Sequence, residues 1–288
     1  MTTNTRIQSV LVLHPGEMGS AIGARWRERG LRVGWVSEGR SDASRQRAQA
    51  AGLVGHARLA EGLAASDLVL SVCPPDAAMA QAQQVIGAGF TGIYVDANAT
   101  SPESSADIGR RIEAAGATYV DAAIIGPPPQ GKTSTRLYLS GPIAETLAGQ
   151  LTAEPLSARV VPGPAGSASA LKMCFAGWNK AMLALLGEVR ALADAHQVTE
   201  ALYAEWELMD PDVMPRLESL RANTRKAWRW SGEMEEVAVT MADAGLPNGS
   251  HLAAAEVYRR LAGFKDTPVK PSLEEIGQAL LAPAKRRP

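Results

Sequence analysis

Short apolar runs alternate with stretches of helical period through the first half of the chain. The runs are residues 10–13, 33–36, 68–72, 92–95, 118–120 and 137–139. They lack the apolar-polar alternation of a strand with one solvated face, so each predicts a strand that is buried on both faces. Such strands, separated by helices, are typical of an α/β fold with a doubly wound parallel sheet.

The pattern changes beyond residues 161–164, where apolar runs almost vanish and helical periods dominate. One apolar stripe recurs at steps of four and three: Leu171, Phe175, Trp178, Met182, Leu185, Val189 and Leu192. It predicts one long helix that buries this stripe. Further helices are predicted over 203–208, 215–230, 233–244 and 251–262. We therefore expect a sheet domain over 1–163 and an all-α domain over 164–288, joined by the long helix.

Composition limits the classes of protein and partner. With 288 residues, 46% of them hydrophobic and 20% charged, the chain has material for two domains and an ordinary core. A net charge of -1 gives no field that would attract nucleic acid or an anionic membrane surface. Only Cys73 and Cys174 are present, which predicts neither a disulfide framework nor a metal site. The apolar run at 7–13 is too short for a membrane span, and we expect a cytoplasmic protein that acts on a small molecule.

The turn after the first predicted strand contains two glycines. It reads His14-Pro15-Gly16-Glu17-Met18-Gly19 and leads into a helix. Gly16 and Gly19 match the second and third glycines of G-x-G-x-x-G, in which small residues let the backbone approach a pyrophosphate at a helix N-terminus. His14 stands at the first glycine position, and a tight turn without a ligand is the alternative interpretation. The position between first strand and first helix favours a Rossmann-type sheet with all six residues at a dinucleotide.

The end of the second predicted strand is where the ribose of such a cofactor is expected. A carboxylate there, such as Glu38, favours the 2′-hydroxyl of NAD, whereas Arg40 favours the 2′-phosphate of NADP. We expect NADP, with NAD as the alternative, because Arg40, Ser37 and Ser41 offer a charge and hydroxyl groups. Glu38 lies one position past the usual acidic site. A solvated loop position for Arg40 is the competing interpretation.

Two further cofactor segments follow later strands. Cys73 and Pro74 come after the run at 68–72, and Asn98 comes after the run at 92–95. Ligands of open α/β sheets gather at the carboxyl ends of strands, so we expect these residues near the dinucleotide. Cys73 is interpreted as a small hydrophobe rather than a nucleophile, because no neighbour lowers its pKa.

Lys172 is the candidate catalytic residue in the early turns of the long helix. Together with Ala176, Asn179 and Leu183 it forms a stripe rotated by about 100° from the apolar one. Lys172 and Asn179 therefore lie on one side of the helix, two turns apart, at the edge of the packed face. A lysine in this place can reach a bound ligand, or it can extend its amine into solvent.

These segments together resemble the β-hydroxyacid dehydrogenase superfamily, which includes 3-hydroxyisobutyrate and 6-phosphogluconate dehydrogenases. Residues 14–19 are similar to its G-x-G-x-M-G, 96–102 to D-x-S-T-x-x-P, and 121–126 to the substrate loop D-A-P-V-S-G. Residues 166–172 match the G-x-x-x-x-x-K that carries the catalytic lysine. The segments 171–178 and 232–236 are similar to an uncharacterised bacterial branch with a divergent C-terminal domain.

The resemblance implies an NAD(P)-dependent oxidoreductase that interconverts a β-hydroxyacid-like alcohol and a carbonyl by hydride transfer. Lys172 is then the general acid/base on the reacting oxygen, and Asn179 orients the substrate. Ser101 and Asn98 add polar contacts. Because the helical domain of the superfamily packs around the partner's long helix, the resemblance also implies a homodimer.

The predicted substrate pocket departs from the superfamily pattern. The serine of the superfamily's substrate loop corresponds to Ile125 in this chain, and the two glycines that follow it correspond to Gly126 and Pro127. The asparagine after the lysine falls on Ala176, and a lysine that binds the substrate carboxylate in many members falls near Glu233. Loss of a hydroxyl, an amide and a cation predicts a more apolar or a cationic substrate.

Two other functions fit the same residues. An NADPH-dependent imine reductase would take a cationic substrate beside Glu233, although such enzymes usually replace the lysine that Lys172 retains. A non-catalytic protein that senses dinucleotides would bind NADPH without turnover.

Overall fold

The computed structural model describes residues 6–282. The chain divides at Met173 into an α/β unit and a helical unit. The strands are β1 (Ser9–Val12), β2 (Arg32–Val36), β3 (Val54–His56), β4 (Leu68–Ser71), β5 (Ile93–Asp96), β6 (Thr118–Ile125), β7 (Thr135–Ser140) and β8 (Leu156–Val160). The helices are α1 (Glu17–Glu28), α2 (Asp42–Ala50), α3 (Leu59–Ala64), α4 (Ala78–Gly87), α5 (Pro102–Ala114), α6 (Ala144–Leu151), α7 (Ser167–Ala195), α8 (Thr199–Met209), α9 (Val213–Asn223), α10 (Ala227–Asp243), α11 (Gly249–Leu261) and α12 (Leu273–Leu281). Short 3-10 helices span Pro75–Ala77, Thr224–Lys226 and Ala262–Phe264.

The eight described strands form one sheet in the order β3-β2-β1-β4-β5-β6-β7-β8. All neighbours are parallel except β6 and β7. The chain order reverses beside β1, so the carboxyl ends of β1, β4, β5 and β6 meet at one edge where loops can hold a ligand. This confirms the predicted fold class, a doubly wound sheet followed by an all-α region.

The strands of the sheet centre are buried on both faces. Val10 and Val12 belong to one apolar core, whereas Leu11 and Leu13 belong to a second core on the opposite face. Successive side chains of a strand point to opposite faces, so a strand between two helix layers is buried at every position and is mostly apolar. This explains why the unbroken apolar runs predict the central strands correctly.

The helical region contains a break that the sequence pattern does not predict. The expected helix over 215–230 is two helices, α9 and α10, separated by the 3-10 turn at Thr224–Lys226. The buried Thr224 hydroxyl donates to the Leu220 carbonyl, a local side-chain bond of the kind that competes with a regular helix. Glu233 therefore lies within α10 rather than at the start of a helix.

The long helix α7 forms as predicted, but the face assigned to its core is wrong. Phe175, Trp178, Leu185 and Leu192 are exposed to 43%, 71%, 59% and 58%. The buried positions of its helical-unit part are mainly small: Ala176, Gly177, Ala184, Gly187 and Ala191. A Cβ added at Gly187 would lie 2.9 Å from Leu220 Cδ2. Close approach of neighbouring helices therefore selects small residues on this face, which a hydrophobicity pattern ranks below the large apolar stripe.

The division between the two units falls inside α7, after Met173, whereas the sequence places the domain boundary at residue 163. The first turn of α7 is hydrogen-bonded to Asp121 of β6, so it belongs to the α/β unit. Within residues 6–282, no helix combines the length and the apolar content that crossing a bilayer requires.

Candidate functional site

The glycine loop lies at the carboxyl end of β1, directly before α1. Gly16 is the N-cap of α1, and a Cβ added there would meet no atom within 4 Å. Gly19 is closely packed, because an added Cβ would collide with the His14 carbonyl. One glycine thus lets the loop close on itself, and the other leaves open space beside free N–H groups of a helix N-terminus. This cradle fits a pyrophosphate.

His14 occupies the place of the first glycine. Burial, and to a smaller extent the charge of Arg40, lowers its pKa to about 4. The imidazole is therefore neutral at pH 7. Its buried Nδ1 has no hydrogen-bond partner among the described residues. His14 thus offers a neutral donor or acceptor to a ligand of the loop, rather than a positive charge.

Three arginines support the chain at the ends of β1 and β2, and only Arg40 was predicted from the sequence. Arg40 donates to the Leu13 carbonyl at 3.3 Å, and Arg47 donates through Nε to the Pro15 carbonyl at 3.2 Å. Arg45 donates to the Ser37 carbonyl at 2.9 Å. Arg45 and Arg47 lie on α2, where the sequence pattern gives no reason to separate them from solvated helix arginines.

The charges of this arginine cluster, Arg40, Arg45 and Arg47, are not neutralised by acids. Their partners are backbone carbonyls and the Ser44 hydroxyl, and no carboxylate forms an ion pair with them within residues 6–282. The buried Arg40 Nε has no partner there either. Ser41 caps α2, since its Oγ accepts from Ser44 N at 3.3 Å. The end of β2 therefore carries excess positive charge and helix N–H groups, a donor set that suits the 2′-phosphate of NADP.

Asn98 connects the ends of β4 and β5. Its Oδ1 accepts from Cys73 N at 2.6 Å, and its Nδ2 donates to Ser71 Oγ at 3.0 Å and to Asp96 Oδ1 at 2.6 Å. Pro74 follows as the N-cap of the 3-10 helix. Burial, together with the nearby Asp96 charge, raises the pKa of the Cys73 thiol to about 12. Cys73 is thus a neutral thiol, unsuited to nucleophilic attack.

The loop after β5 contains two buried hydroxyl groups, of which one caps a helix and the other has no hydrogen-bond partner among the described residues. Ser101 is 1% exposed and caps α5, where its Oγ accepts from Ser104 N at 3.2 Å. Thr100 Oγ1 is buried and has no partner among the described residues. Its unpaired hydroxyl is the better candidate for a ligand contact, although the resemblance points to Ser101.

Lys172 lies in the second turn of α7 and reaches the end of β6. Its Nζ donates to the Ile124 carbonyl at 2.7 Å, so the amine is held in place rather than extended into solvent. Ile125 is buried, and Gly126 turns the chain at φ +117, where a Cβ would lie 2.5 Å from the Ser134 carbonyl. The Pro127 carbonyl accepts from Thr135 Oγ1 at 2.5 Å. The predicted substrate-binding residues Ile125, Gly126 and Pro127 therefore directly follow the carbonyl that holds the Lys172 amine.

Three predicted site residues belong to the helical unit. Ala176 is 2% exposed, and the Asn179 amide donates to the Phe175 carbonyl of its own helix at 2.8 Å. Glu233 forms an ion pair with Lys180, whose Nζ also lies 4.9 Å from the Trp230 ring centroid. The negative charge of Glu233 is thus balanced within the chain, so it no longer favours a cationic substrate. The substrate roles of Ala176, Asn179 and Glu233 stay predictions.

Comparisons with known proteins agree with this architecture. Residues 193–261 match a domain of unknown function, DUF1932. The chain is 27% identical to the conserved protein MTH1747 of unknown function, a structure described as similar to 3-hydroxyacid dehydrogenases; the match covers 88% of this chain and 97% of that one, with a TM-score of 0.67.

Two solved structures with assigned activities share the fold. The Mycobacterium tuberculosis 3-hydroxyisobutyrate dehydrogenase, determined with L-serine, is 17% identical over 96% of this chain and 100% of its own, with a TM-score of 0.72. The reductive aminase from Aspergillus terreus, in complex with NADPH and ethyl levulinate, is 17% identical over 94% and 98%, with a TM-score of 0.57. The chain has the fold of the 3-hydroxyacid dehydrogenases with a divergent C-terminal domain, which confirms the resemblance found in the sequence.

Proposed function

We propose that the protein is an NADP-preferring oxidoreductase that interconverts an alcohol, of β-hydroxyacid type, and a carbonyl compound. The observation that carries the proposal is the Lys172 amine, held 2.7 Å from the Ile124 carbonyl at the carboxyl end of β6. The same edge of the sheet carries the Gly16 cradle and the arginine cluster. A proton donor and a dinucleotide cradle on one sheet edge are what this reaction requires.

The residues present fit a nicotinamide dinucleotide. The open side of Gly16 would accept the pyrophosphate, and the arginine cluster with Ser41 would hold the 2′-phosphate. Cys73 N is already bonded to Asn98, so these two residues would line the cofactor as a fixed wall. When bound, the cofactor supplies the hydride that reduces the substrate carbon.

Lys172 provides the proton. In the direction of reduction its ammonium group donates a proton to the substrate oxygen, and in the direction of oxidation the neutral amine accepts the hydroxyl proton. The Ile124 carbonyl occupies one of the donors of the ammonium group and thereby fixes its direction. The remaining donors would then be available to a reacting oxygen beside Ile125, Gly126 and Pro127. Ile125 and Pro127, which replace a hydroxyl and a glycine of the superfamily pattern, make this loop more apolar.

We expect Lys172→Ala to abolish turnover and to leave NADPH affinity nearly unchanged, because the amine acts on the substrate and not on the cofactor. Purified protein is incubated with NADPH and a panel of β-oxoacids, ketones and cyclic imines, and NADPH consumption is followed by absorbance. NADPH affinity is measured separately by fluorescence titration. Lys270→Ala, an exposed lysine of the helical unit, is the matched control and retains full turnover.

Each alternative gives a different result in this experiment. Consumption with imines alone, unaffected by Lys172→Ala, contradicts the alcohol–carbonyl assignment and supports an imine reductase. Tight NADPH binding without turnover of any substrate in the panel supports a dinucleotide sensor. Turnover of an oxoacid that survives Lys172→Ala removes the acid/base role of the lysine.

A further inference from the structure

The Asp121 carboxylate on β6 is fully buried and receives six hydrogen bonds. Its Oδ2 accepts from the backbone N–H groups of Gly166, Ala168 and Ser169 at 2.9, 2.9 and 3.0 Å. Three hydroxyls complete the set, from Ser140 to Oδ2 at 2.7 Å and from Ser105 and Ser169 to Oδ1 at 2.9 and 2.6 Å. With no exposed surface and this many donors, Asp121 has no free position for a substrate.

The backbone donors belong to the start of α7, the helix that carries Lys172. The first N–H groups of a helix have no partner within the helix, and a carboxylate there also interacts favourably with the positive end of the helix dipole. Such caps usually come from the residue that precedes the helix. Here the cap comes from a strand 45 residues earlier in the chain. It therefore attaches α7 to β6 as well as completing its hydrogen bonds.

A second attachment joins the same strand and the same helix. Lys172 Nζ donates to the carbonyl of Ile124, three residues after Asp121 on β6. Lys172 in turn follows Ser169 by three residues on α7. The two attachments lie three residues apart on both β6 and α7. Together they fix both the translation and the rotation of the first turns of α7 against β6. The amine then has one place, at the end of the strand.

We infer that Asp121 is a positioning residue for Lys172: its carboxylate anchors the start of α7 to β6 and thereby sets the amine at the Ile124 carbonyl. The inference rests on the proposed acid/base role of Lys172. Asp121 itself touches no reacting atom.

The test uses Asp121→Asn in the full-length protein. The amide keeps the size of the side chain but replaces the charged acceptor Oδ2 with a weaker or a donating group, so the helix start loses its strongest acceptor. We expect kcat to fall by about tenfold or more with a KM and an NADPH Kd that change little, since small misplacements of a catalytic group are costly.

A second measurement does not require turnover. The reactivity of each lysine amine toward trace acetic anhydride is determined by mass spectrometry on the folded protein. Release of the amine from the Ile124 carbonyl raises the reactivity of Lys172 several-fold in Asp121→Asn, while Lys132 and Lys270 keep theirs. Should Asp121→Asn fail to fold, Ser140→Ala replaces it, because Ser140 both donates to Asp121 and accepts from Ala168 N at 3.0 Å. Ser105→Ala is the control that removes one donor to Oδ1 and leaves every bond to α7.

The outcomes distinguish the positioning role of Asp121 from the proposed acid/base role of Lys172. Unchanged Lys172 reactivity in folded Asp121→Asn overturns the positioning role, whatever the activity. A raised reactivity combined with normal turnover in Lys172→Ala supports the geometry and removes the proposed function.

Discussion

At the scale of single residues, the proposed preference for NADP rests on the unbalanced charges of the arginine cluster. Arg40, Arg45 and Arg47 bond to carbonyls of the loops they support, and these neutral partners leave their charge available. A 2′-phosphate adds about two negative charges that only NADP carries. We therefore propose that the cluster distinguishes the two dinucleotides through this group.

We predict that Arg40→Ala weakens NADPH binding by about ten- to a hundredfold and changes NADH binding little, because a charge-assisted contact contributes about 1.5 to 3 kcal/mol. Arg47→Ala gives a smaller effect in the same direction. Both affinities are measured by calorimetry at low ionic strength, since salt screens exposed charges. Arg58→Ala is the matched control, because Arg58 is paired with Glu61 at 2.9 Å. Equal losses of affinity for NADPH and NADH would show that Arg40 supports the loop and does not bind the 2′-phosphate.

Asp96 gives a prediction about pH at the same scale. Burial raises its pKa from the usual 3.8 to about 7, with the neighbouring Asp121 contributing and the Asn98 hydrogen bonds opposing. Between these pH values the folded protein holds a proton that the unfolded chain has lost. The contribution of Asp96 to stability is therefore fully present below about pH 4 and is lost as the pH rises toward 7.

We expect Asp96→Asn to become progressively more stable relative to the wild type from pH 4 to 7, by at most about 1.4 kcal/mol per pH unit. The amide stays neutral and avoids the cost of burying a charge. Urea unfolding at each pH gives the free energies, and the difference between the two proteins removes the contributions of all other groups. The exposed Asp76→Asn serves as the control. A difference that is flat across this range would mean that Asp96 is ionised in the folded protein throughout.

Residues whose role is local could be predicted from the sequence, and those whose role depends on distant partners could not. Gly16 and Gly19 act through the backbone of their own turn, so their spacing in the sequence was sufficient to predict that turn. Asp121 was part of a recognised segment, but its bonds to residues 166–169 join positions at least 45 apart. Arg47 likewise contacts a carbonyl 32 residues away. No local pattern records such a contact.

At the scale of elements, the same reasoning separates the strands that were predicted from those that were not. The central strands are buried at every position, and most of their residues are apolar, because helices cover both faces. The edge strands β3 and β8 have fewer buried positions, and Val54 is 59% exposed. Edge strands are held by backbone hydrogen bonds from one side and need little apolar sequence. Their absence from the prediction follows from their place in the sheet.

The helix α7 shows the limit of periodicity as evidence. Its large apolar stripe and its stripe of small residues have the same helical period, so both are compatible with a packed face. Packing of α7 selected the small residues Gly177 and Gly187, which let Val237 and Leu220 approach their backbone. Periodicity thus predicts that a helix has an apolar side, but the size of the residues decides which neighbours that side can accept.

At the scale of the whole molecule, the exposed face of α7 is a candidate interface. Its seven apolar residues follow strict steps of four and three from Leu171 to Leu192, the spacing of a seam between two helices. Four of them are more than 40% exposed in the single chain. A contiguous apolar stripe of this length is unusual on a monomer. A second copy of this chain presents a stripe with the same spacing, so we propose a homodimer through this face.

We predict that Leu185→Glu converts the dimer into a monomer at micromolar concentration. Leu185 is 59% exposed at the middle of the stripe, and the change removes apolar burial of about 1.5 to 3 kcal/mol on each side while adding two like negative charges to the interface. Sedimentation velocity measures the mass, and the melting temperature of the wild type rises with protein concentration. Leu208→Glu, on α8 and 81% exposed, is the control that leaves the dimer intact. A wild-type protein that sediments as a monomer at every concentration would show that this stripe has another occupant.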